Sequence, residues 1–212
     1  NVLVGVLNEA GVQMHIHTNG DEAIEAALEA LEQAKVKLNR PDLLHVLQHC
    51  QMADRAQFRK MKRLGVAANL FSNHIYYFGD KHYELTMGPD RALRMDACQS
   101  ALDYGVTLAI HSDAPVTPMA PLFTAWCAIN RLTESGKLLG EYERISVADA
   151  LQAITLGAAE TLQMDHEVGS IETGKWADFA ILDDDPETIG AENLKDVGIW
   201  GTILAGEKHK IP

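Results

Sequence analysis

The sequence predicts an α/β protein in which helices cover a parallel β-sheet. Four short apolar segments of strand character are each followed by a segment with helical spacing, and this alternation is typical of parallel α/β folds. After Pro121 the pattern changes to two further helices, and from Gly169 onward the chain is glycine-rich and strand-forming. We therefore expect a parallel α/β body followed by a small β appendage.

Local patterns define the individual elements. The predicted strands of the body are residues 12–17, 43–48, 65–70 and 106–110. The predicted helices are residues 22–37, 54–64, 91–104, 122–132 and 147–156. Asp21 and Ser146 precede the first and the last of these helices and are suitable N-terminal caps. Residues 71–89 are expected to be a long irregular loop, and the appendage is expected to contain strands at residues 179–182 and 198–205.

Composition narrows the class of function. The 212 residues include 47% hydrophobic and 23% charged residues, which are ordinary values for a globular protein. The longest apolar runs have the length of buried strands, so no membrane span is expected. A net charge of −12 repels phosphate groups, so nucleic acid is not expected as a partner. Three cysteines without paired spacing suit a reducing compartment, and we expect a cytoplasmic protein.

Histidines and one aspartate lie at the ends of the predicted strands. His15 and His17 share one face of the first strand, His49 follows the second, and His111 and Asp113 follow the fourth. The C-terminal ends of parallel strands meet at one edge of a sheet, and a barrel gathers them around one centre. His17 and His49 are about one βα repeat apart, and Asp113 is about two repeats further along the chain. We therefore expect these three side chains to converge.

Two imidazoles and a carboxylate are a suitable ligand set for a divalent metal ion, and zinc is the ion we expect. Zinc makes hydroxide available near neutral pH, and Asp113 could both bind the metal and accept the proton of the water. Taken alone, each histidine is more often a structural residue than a ligand. His15 and His45 are expected to be structural. His111 is expected to be either a core residue or a support for Asp113.

Several sequence elements resemble the YtcJ-like branch of the amidohydrolase superfamily, also called amidohydrolase family 3. Residues 17–23, HTNGDEA, are similar to the His-x-x-Gly-Asp-x-Ala element at its fifth strand. LQH at residues 47–49 stands at the sixth-strand position, and HSDAPV at residues 111–116 is similar to the Ser-Asp-Ala-Pro element of the eighth strand. Residues 155–159 and 169–179 resemble the C-terminal signature of the superfamily. The resemblance spans nearly the whole chain.

This resemblance implies the second half of a (β/α)8 TIM-like barrel, strands 5 to 8, in residues 1–165 and the C-terminal strands of a small β-sandwich in residues 166–212. It also implies a hydrolase that cleaves amide, carbamate or related C–N bonds of small molecules with one or two metal ions. His17 and His49 would bind one ion, and Asp113 would bind the other and act as general base.

The chain departs from the family pattern at several positions. Thr18 and Asn19 replace apolar residues, Gln48 replaces a more frequent Glu, and His111 replaces the usual Gly. The first-strand His-x-His pair and the fourth-strand lysine of the family are not found in this sequence. We therefore expect a C-terminal fragment that is inactive alone, with two open sheet edges and an apolar inner face. Such a fragment should form a homo-oligomer or belong with a missing N-terminal half.

The expected loop after the third strand is a candidate substrate-binding segment, because long loops on the working face of α/β folds commonly bind substrates. Within it, His74 and Tyr76 would suit an apolar or aromatic acyl group of an amide-like substrate. A loop packed on its own side chains is an equally good interpretation. Arg91 would meet either a substrate carboxylate or a neighbouring acidic residue.

Two other functions stay open at the level of sequence. A regulatory or ligand-binding protein could retain this fold without catalysis, and tight metal binding without turnover would identify it. An open sheet that binds a nucleotide is a weaker alternative, because Gly20 stands alone and no glycine-rich phosphate loop surrounds it.

Overall fold

The computed structural model describes residues 2–210 and contains the predicted parallel sheet. Its strands, in spatial order, are β1 (His15–Thr18), β2 (Val46–His49), β3 (Ala67–Leu70) and β4 (Leu108–Ile110). All neighbours are parallel, and His17 lies beside Gln48, which lies beside Asn69. Short parallel strands in sequential order with helical connections are the arrangement found along the wall of a (β/α)8 barrel. The predicted α/β class is confirmed.

Helices connect and flank these strands. They are α1 (Val2–Glu9), α2 (Asp21–Lys37), α3 (Arg55–Leu64), α4 (Asn73–Lys81), α5 (Pro89–Ala92), α6 (Cys98–Asp103) and α7 (Pro121–Asn130). Helix α3 shows how local sequence sets these bounds. The Asp54 carboxylate accepts a hydrogen bond from the Gln57 N–H at 2.8 Å, and the Gln57 side chain accepts one from the Asp54 N–H at 3.1 Å. The helix ends at Gly65, whose φ of 59° favours glycine.

The main hydrophobic core lies between the sheet and these helices. Leu28 of α2 and Phe58 and Met61 of α3 are fully buried in one cluster with Leu47 of β2 and Ala68 of β3. Burial of a side chain of the size of leucine or phenylalanine contributes about 1.5–3 kcal/mol. Successive residues of a strand point to opposite faces of the sheet. The residues before and after each apolar core residue therefore point to the face away from these helices.

That opposite face, which lines the inside of the barrel, is polar where the strands approach their C-terminal ends. Gln48 Nε2 and His15 Nδ1 are 2.7 Å apart, and the Asn69 amide donates to Gln48 Oε1 at 2.9 Å. His15 and His17 are exposed on this face. The expected apolar inner face is therefore found only in part: Val46, Ala67 and Ala109 share this face by register, and the positions between them are polar.

The segment after β3 is helical rather than an irregular loop, which corrects the sequence prediction. Helix α4 begins at Asn73 and continues into a π-helical turn at His82–Thr86. Gly79 allows close packing of α4, because a Cβ atom at this position would lie 2.7 Å from the Thr133 side chain. The helix is thus fixed by a contact with a segment about 50 residues further along the chain, which local pattern does not reveal.

The helix predicted at residues 91–104 is divided in two, a second correction. Helix α5 ends at Ala92 and α6 begins at Cys98. Between them Asp96 has a φ of 48°, a left-handed conformation that cannot continue an α-helix. The guanidinium of Arg131 stabilises this break by donating to the carbonyl oxygens of Met95 at 2.7 Å and Asp96 at 2.8 Å.

Two helices follow α7, where the sequence predicted a single helix over residues 147–156. They are α8 (Val147–Ile154) and α9 (Leu156–Thr161). The Ser146 hydroxyl accepts a hydrogen bond from the Asp149 N–H at 3.1 Å and caps α8 in the predicted manner. Gly157 brings α9 against the sheet, because a Cβ atom there would lie 2.1 Å from the Leu108 carbonyl oxygen.

The appendage is an antiparallel sheet of β5 (Phe179–Leu182), β6 (Ile199–Leu204) and β7 (Glu207–Lys210). A 3-10 helical segment between β5 and β6 packs on α7 through buried Leu194, and Trp126 Nε1 donates to the Glu192 carbonyl oxygen at 2.9 Å. The proposed boundary between residues 165 and 166 stays a prediction. Within residues 2–210, no helix is long and apolar enough to cross a bilayer.

Candidate metal centre

His17, His49 and Asp113 lie at the same end of the sheet, where the strands finish. His17 is the penultimate residue of β1, His49 is the last residue of β2, and Asp113 lies in the loop after β4. All three line one open cleft, together with Phe71 and His74. The structure thus brings together the three side chains that the strand spacing predicted to converge.

The cluster is close to the size of a metal coordination sphere. The ring centroids of His17 and His49 are 4.5 Å apart, and those of His49 and His111 are 5.0 Å apart. The ligand atoms that His49, His111 and Asp113 can offer lie within 4.8 Å of one another. Around tetrahedral zinc, ligand atoms about 2.0–2.2 Å from the ion lie roughly 3.3 Å apart. The set of His49, His111 and Asp113 is near this spacing, and His17 adjoins the set through the ring of His49. Among the described residues, no hydrogen bond engages the rings of His17 and His49.

Two of these side chains depend on an unusual backbone conformation. His49 has a φ of 69° and Asp113 a φ of 51°, in the left-handed region that non-glycine residues seldom adopt. Because Gln48 faces the inside of the barrel, strict alternation would place His49 with Leu47 on the helix-covered face. The left-handed turn at the strand end leaves the His49 ring beside His17 instead. Such conformations cost about 1–3 kcal/mol each and cluster at functional sites.

His111 contacts the turn that carries Asp113. Its Nδ1 accepts a hydrogen bond from the Asp113 N–H at 3.1 Å. Burial, and next the neighbouring His49, lower the pKa of His111 to about 4, so the ring is neutral at pH 7. Its Nε2 is buried and has no hydrogen-bond partner within the described part of the chain. A neutral imidazole that accepts at Nδ1 carries its proton on Nε2, so the arrangement favours support of Asp113 over metal binding through Nε2.

The electrostatics of His49 suit a metal ligand. Burial lowers the pKa of His49, the nearby carboxylate of Asp113 raises it, and His17 lowers it again. The net direction is downward, which favours the neutral imidazole that metal ions require. Two imidazoles and one carboxylate are a common donor set for zinc and related divalent ions. The residues present therefore fit such an ion.

The sequence model of the amidohydrolase family matches residues 1–208. The chain belongs to the amidohydrolase family. The matched range includes the parallel strands that carry the metal-site candidates and most of the antiparallel sheet. It confirms the resemblance that HTNGDEA and HSDAPV indicated.

Individual relatives agree with this assignment. N-substituted formamide deformylase of Arthrobacter pascens is 29% identical over 201 residues, which are 94% of this chain and 36% of that protein. YtcJ of Bacillus subtilis strain 168, named as an amidohydrolase, is 28% identical over 209 residues, which are 97% of this chain and 39% of YtcJ. The chain therefore spans less than half the length of these curated relatives.

Solved structures show the same fold. A metal-dependent hydrolase from Pyrococcus horikoshii OT3 superposes with a TM-score of 0.75 at 22% identity, over 90% of this chain and 38% of that one. The match confirms that the amidohydrolase chain has the predicted partial barrel with an antiparallel appendage.

His74, one of the predicted substrate-binding residues, lies in the cleft. It lines the cleft with His17, and its ring centroid is 6.4 Å from that of His49. Tyr76 lies elsewhere: its ring packs edge-on against Phe123 of α7, with centroids 5.1 Å apart. Two positions along an α-helix are separated by about 200° of rotation, so a helical segment cannot direct both residues to the cleft. The sequence prediction treated this segment as a loop, in which both side chains could have faced the cleft.

Arg91 also differs from the substrate-binding expectation. Its Nη2 donates to the Asp21 carboxylate at 3.0 Å, and both side chains are partly exposed. The structure therefore shows the alternative, a neighbouring acid. This pair links α5 to the start of α2.

Two further residues near the metal-site candidates were not among the predicted site residues. His82, in the π-helical turn, lines the cleft, and its Nδ1 is 2.7 Å from Thr86 Oγ1. Asp96 is fully buried, and one of its carboxylate oxygens is 3.3 Å from His74 Nδ1. π-Helical turns often occur at functional sites but have no sequence signature, and Asp96 stands in no recognisable motif.

Proposed function

We propose that the protein containing this chain is a metal-dependent hydrolase that cleaves an amide, carbamate or related C–N bond of a small molecule. The observation that carries the proposal is the convergence of His17, His49 and Asp113 at the strand ends of an amidohydrolase-family barrel wall. In (β/α)8 enzymes, catalytic residues collect at this end of the strands.

His17 and His49 would hold the metal ion through imidazole nitrogens, and Asp113 would hold it through a carboxylate oxygen. Zinc is the ion we propose, because a compact set of nitrogen and carboxylate ligands suits its size and borderline softness. When bound, such an ion supplies Lewis-acid polarisation and activates water at neutral pH. One or two ions would be present in the complete barrel, since other strands would add further ligands.

Asp113 would act as the general base. One of its carboxylate oxygens would accept the proton of the attacking water, and the same group would return a proton to the leaving nitrogen. The hydrogen bond from the Asp113 N–H to His111 Nδ1 supports this role by fixing the turn. His49 supports it too, because its lowered pKa keeps that ring from competing as a proton donor.

Relatives and cleft chemistry support the substrate class. One relative is named for the deformylation of N-substituted formamides, which contain the amide-like C–N bond that we propose here. Phe71 and Phe78 line the cleft beside the histidines and offer apolar surface to an acyl or N-substituent. The net charge of −12 disfavours polyanionic substrates.

We also propose that strands outside this chain complete the barrel and that the chain alone is inactive. β1 and β4 are the edges of the described sheet, and the inner face with His15 and His17 is open. Open edges and an open inner face favour pairing with further strands. The greater length of the relatives supports completion by the same protein. Association of two copies is the alternative, and light scattering would show it as twice the 23.2 kDa mass of the chain.

The experiment uses the full-length protein and measures metal per chain together with turnover of a panel of amides and carbamates. His17→Ala and His49→Ala should each lower metal content and abolish turnover, because each removes a ligand of the same site. His166→Ala is the matched control, since its side chain is exposed and distant in sequence from the strand ends, and it should leave both quantities unchanged. Unchanged metal content in both ligand variants would contradict the proposal.

Asp113→Asn separates catalysis from binding. The amide is nearly the same size but is a poor proton acceptor, so kcat should fall by about 100-fold or more while KM changes little. Wild-type protein that holds metal tightly yet hydrolyses no member of the panel would favour the regulatory or ligand-binding alternative.

A further inference from the structure

We propose that His74, held by the buried carboxylate of Asp96, accepts a hydrogen bond from the N–H group of the substrate. The pair would make the enzyme selective for amides that carry hydrogen on the scissile nitrogen. The identity of the substrate in this inference rests on the proposed hydrolase function. The direction of the hydrogen bond, from the substrate to His74, rests on the geometry of the His74–Asp96 pair.

The pair is built into the wall of the cleft. His74 Nδ1 and Asp96 Oδ1 are 3.3 Å apart. Asp96 is 0% exposed and His74 8% exposed, so water has little access to the contact. His74 lies on α4, whereas Asp96 lies in the break between α5 and α6. Two separate segments therefore fold so that a buried acid stands behind a histidine of the metal cleft.

Arg131 places a buried positive charge near Asp96. Its guanidinium is 0% exposed and donates to the carbonyl oxygens of Met95, Asp96 and Leu139 at distances of 2.6–2.8 Å. Guanidinium stays protonated in proteins, and a buried positive charge needs a buried negative one nearby. Burial raises the pKa of Asp96, whereas His74 and Arg131 oppose that rise. Because Arg131 cannot give up its charge, we assign Asp96 as a carboxylate that balances this charge together with buried Glu143.

The carboxylate fixes the tautomer of His74. An ionised carboxylate only accepts hydrogen bonds, so the Nδ1 atom of His74 must donate to it. A neutral ring with hydrogen on Nδ1 has a lone pair on Nε2. Within residues 2–210 no hydrogen bond engages Nε2, and the residue lines the cleft. His74 Nε2 is therefore a hydrogen-bond acceptor that faces the cleft. It can accept from a substrate N–H, but it cannot donate to a carbonyl oxygen.

The surroundings hold the ring in place. The His74 ring lies 4.0 Å from the Phe71 ring and 5.9 Å from the Phe78 ring, measured between centroids. Apolar neighbours exclude water and strengthen a hydrogen bond made beside them. The acceptor is thus preorganised on the side of the cleft where an amide nitrogen would lie if its carbonyl faced His49 and Asp113.

The first test compares two substrates in the full-length protein. The wild type should hydrolyse an N-monosubstituted amide with a kcat/KM about 10- to 100-fold above that of the matching N,N-disubstituted amide, because only the former donates to His74. Asp96→Asn should remove most of this preference. A carboxamide can donate to Nδ1, which moves the ring hydrogen to Nε2 and turns the acceptor into a donor.

The variant is suited to the question. Asn tolerates a left-handed φ as well as Asp does, so the conformation at position 96 is kept. Asp90→Asn is the matched control, because Asp90 is an exposed residue of α5, and it should retain the wild-type preference. Metal content should equal the wild-type value in both variants. An undiminished preference in Asp96→Asn, with normal metal content, would overturn the proposal.

A readout that does not need turnover is the ring tautomer. Nitrogen-15 spectra of histidine-labelled protein should show hydrogen on Nδ1 of His74 in the wild type and on Nε2 in Asp96→Asn, with His74→Asn used to assign the signals. Hydrogen on Nε2 in the wild type would overturn the proposal. If no amide is hydrolysed but the wild-type tautomer is as stated, the hydrolase function fails while the assignment of His74 as an acceptor stands.

Discussion

Arg131→Met should loosen the wall of the cleft, and the structure gives the expected size of the effect. Arg131 ends α7 in a left-handed conformation, with a φ of 52°. Its guanidinium connects the Asp96 turn to the carbonyl oxygen of Leu139. Methionine fills similar space with an apolar side chain, so the substitution removes the hydrogen bonds while it keeps most of the packing volume.

The magnitude follows from the acceptors that lose their donor. The Asp96 carbonyl oxygen keeps a second partner, the Cys98 N–H at 2.9 Å. Those of Met95 and Leu139 accept, within the described chain, from Arg131. Leaving a buried carbonyl unpaired costs about 1–3 kcal/mol, so two of them cost about 2–6 kcal/mol. The buried Asp96 carboxylate would also lose its nearby positive charge, which adds to the cost.

Hydrogen exchange in the full-length protein measures this locally. The Asp96 N–H donates to the Gln51 carbonyl oxygen at 2.8 Å, so its exchange reports opening of the turn. A cost of about 2 kcal/mol corresponds to exchange roughly 30-fold faster, because each 1.4 kcal/mol is a factor of ten. Arg144→Met is the control: Arg144 is 39% exposed and donates to the Ile129 carbonyl at 2.9 Å, so water can replace it. Acceleration below about fivefold in Arg131→Met would refute the reasoning.

Two stability predictions concern positions away from the cleft. Burial lowers the pKa of His45 from 6.5. The free energy of unfolding should therefore be fully retained above about pH 6.5 and should fall as the pH drops towards the lower folded pKa. His45→Gln should flatten this part of the profile when the urea midpoint is measured against pH. Gly157→Ala should lower the melting temperature, at a cost of about 1–3 kcal/mol or more, because the added Cβ would lie 2.1 Å from the Leu108 oxygen. Gly5→Ala, on open α1, should instead stabilise by up to about 1 kcal/mol, and the opposite order would contradict the packing argument.

The sheet could be predicted from sequence because its signals are local. An apolar run of strand length followed by a helical pattern identifies each βα unit, and β3 at Ala67–Leu70 lies within the predicted residues 65–70. The parallel order then places His17 and His49 at one edge without further information. The boundary of β2 shifts by a few residues, from the predicted 43–48 to Val46–His49, because strand ends depend on pairing rather than on pattern.

Helix α4 and the turn at Asp96 could not be predicted from the sequence, because their structure depends on contacts with residues distant along the chain. Helix α4 looks irregular in sequence, since it mixes aromatic residues, histidine and glycine. The break at Asp96 is held by Arg131, which is 35 residues away along the chain. The positions of Tyr76 and Arg91 could not be predicted for the same reason: a helix directs Tyr76 towards Phe123, and an ion pair holds Arg91 to Asp21.

Backbone strain connects the metal-site candidates with the buried network behind them. Of the seven non-glycine residues with positive φ in the described chain, five belong to the cleft or its supporting turn: His49, Cys50, Asp96, Asp113 and Arg131. At about 1–3 kcal/mol each, these conformations persist only where surrounding contacts determine them. The contacts are present, in the Asp113–His111 hydrogen bond and in the Arg131 carbonyl contacts. Folding therefore sets the directions of these side chains before any ligand arrives, which is the condition for preorganised chemistry.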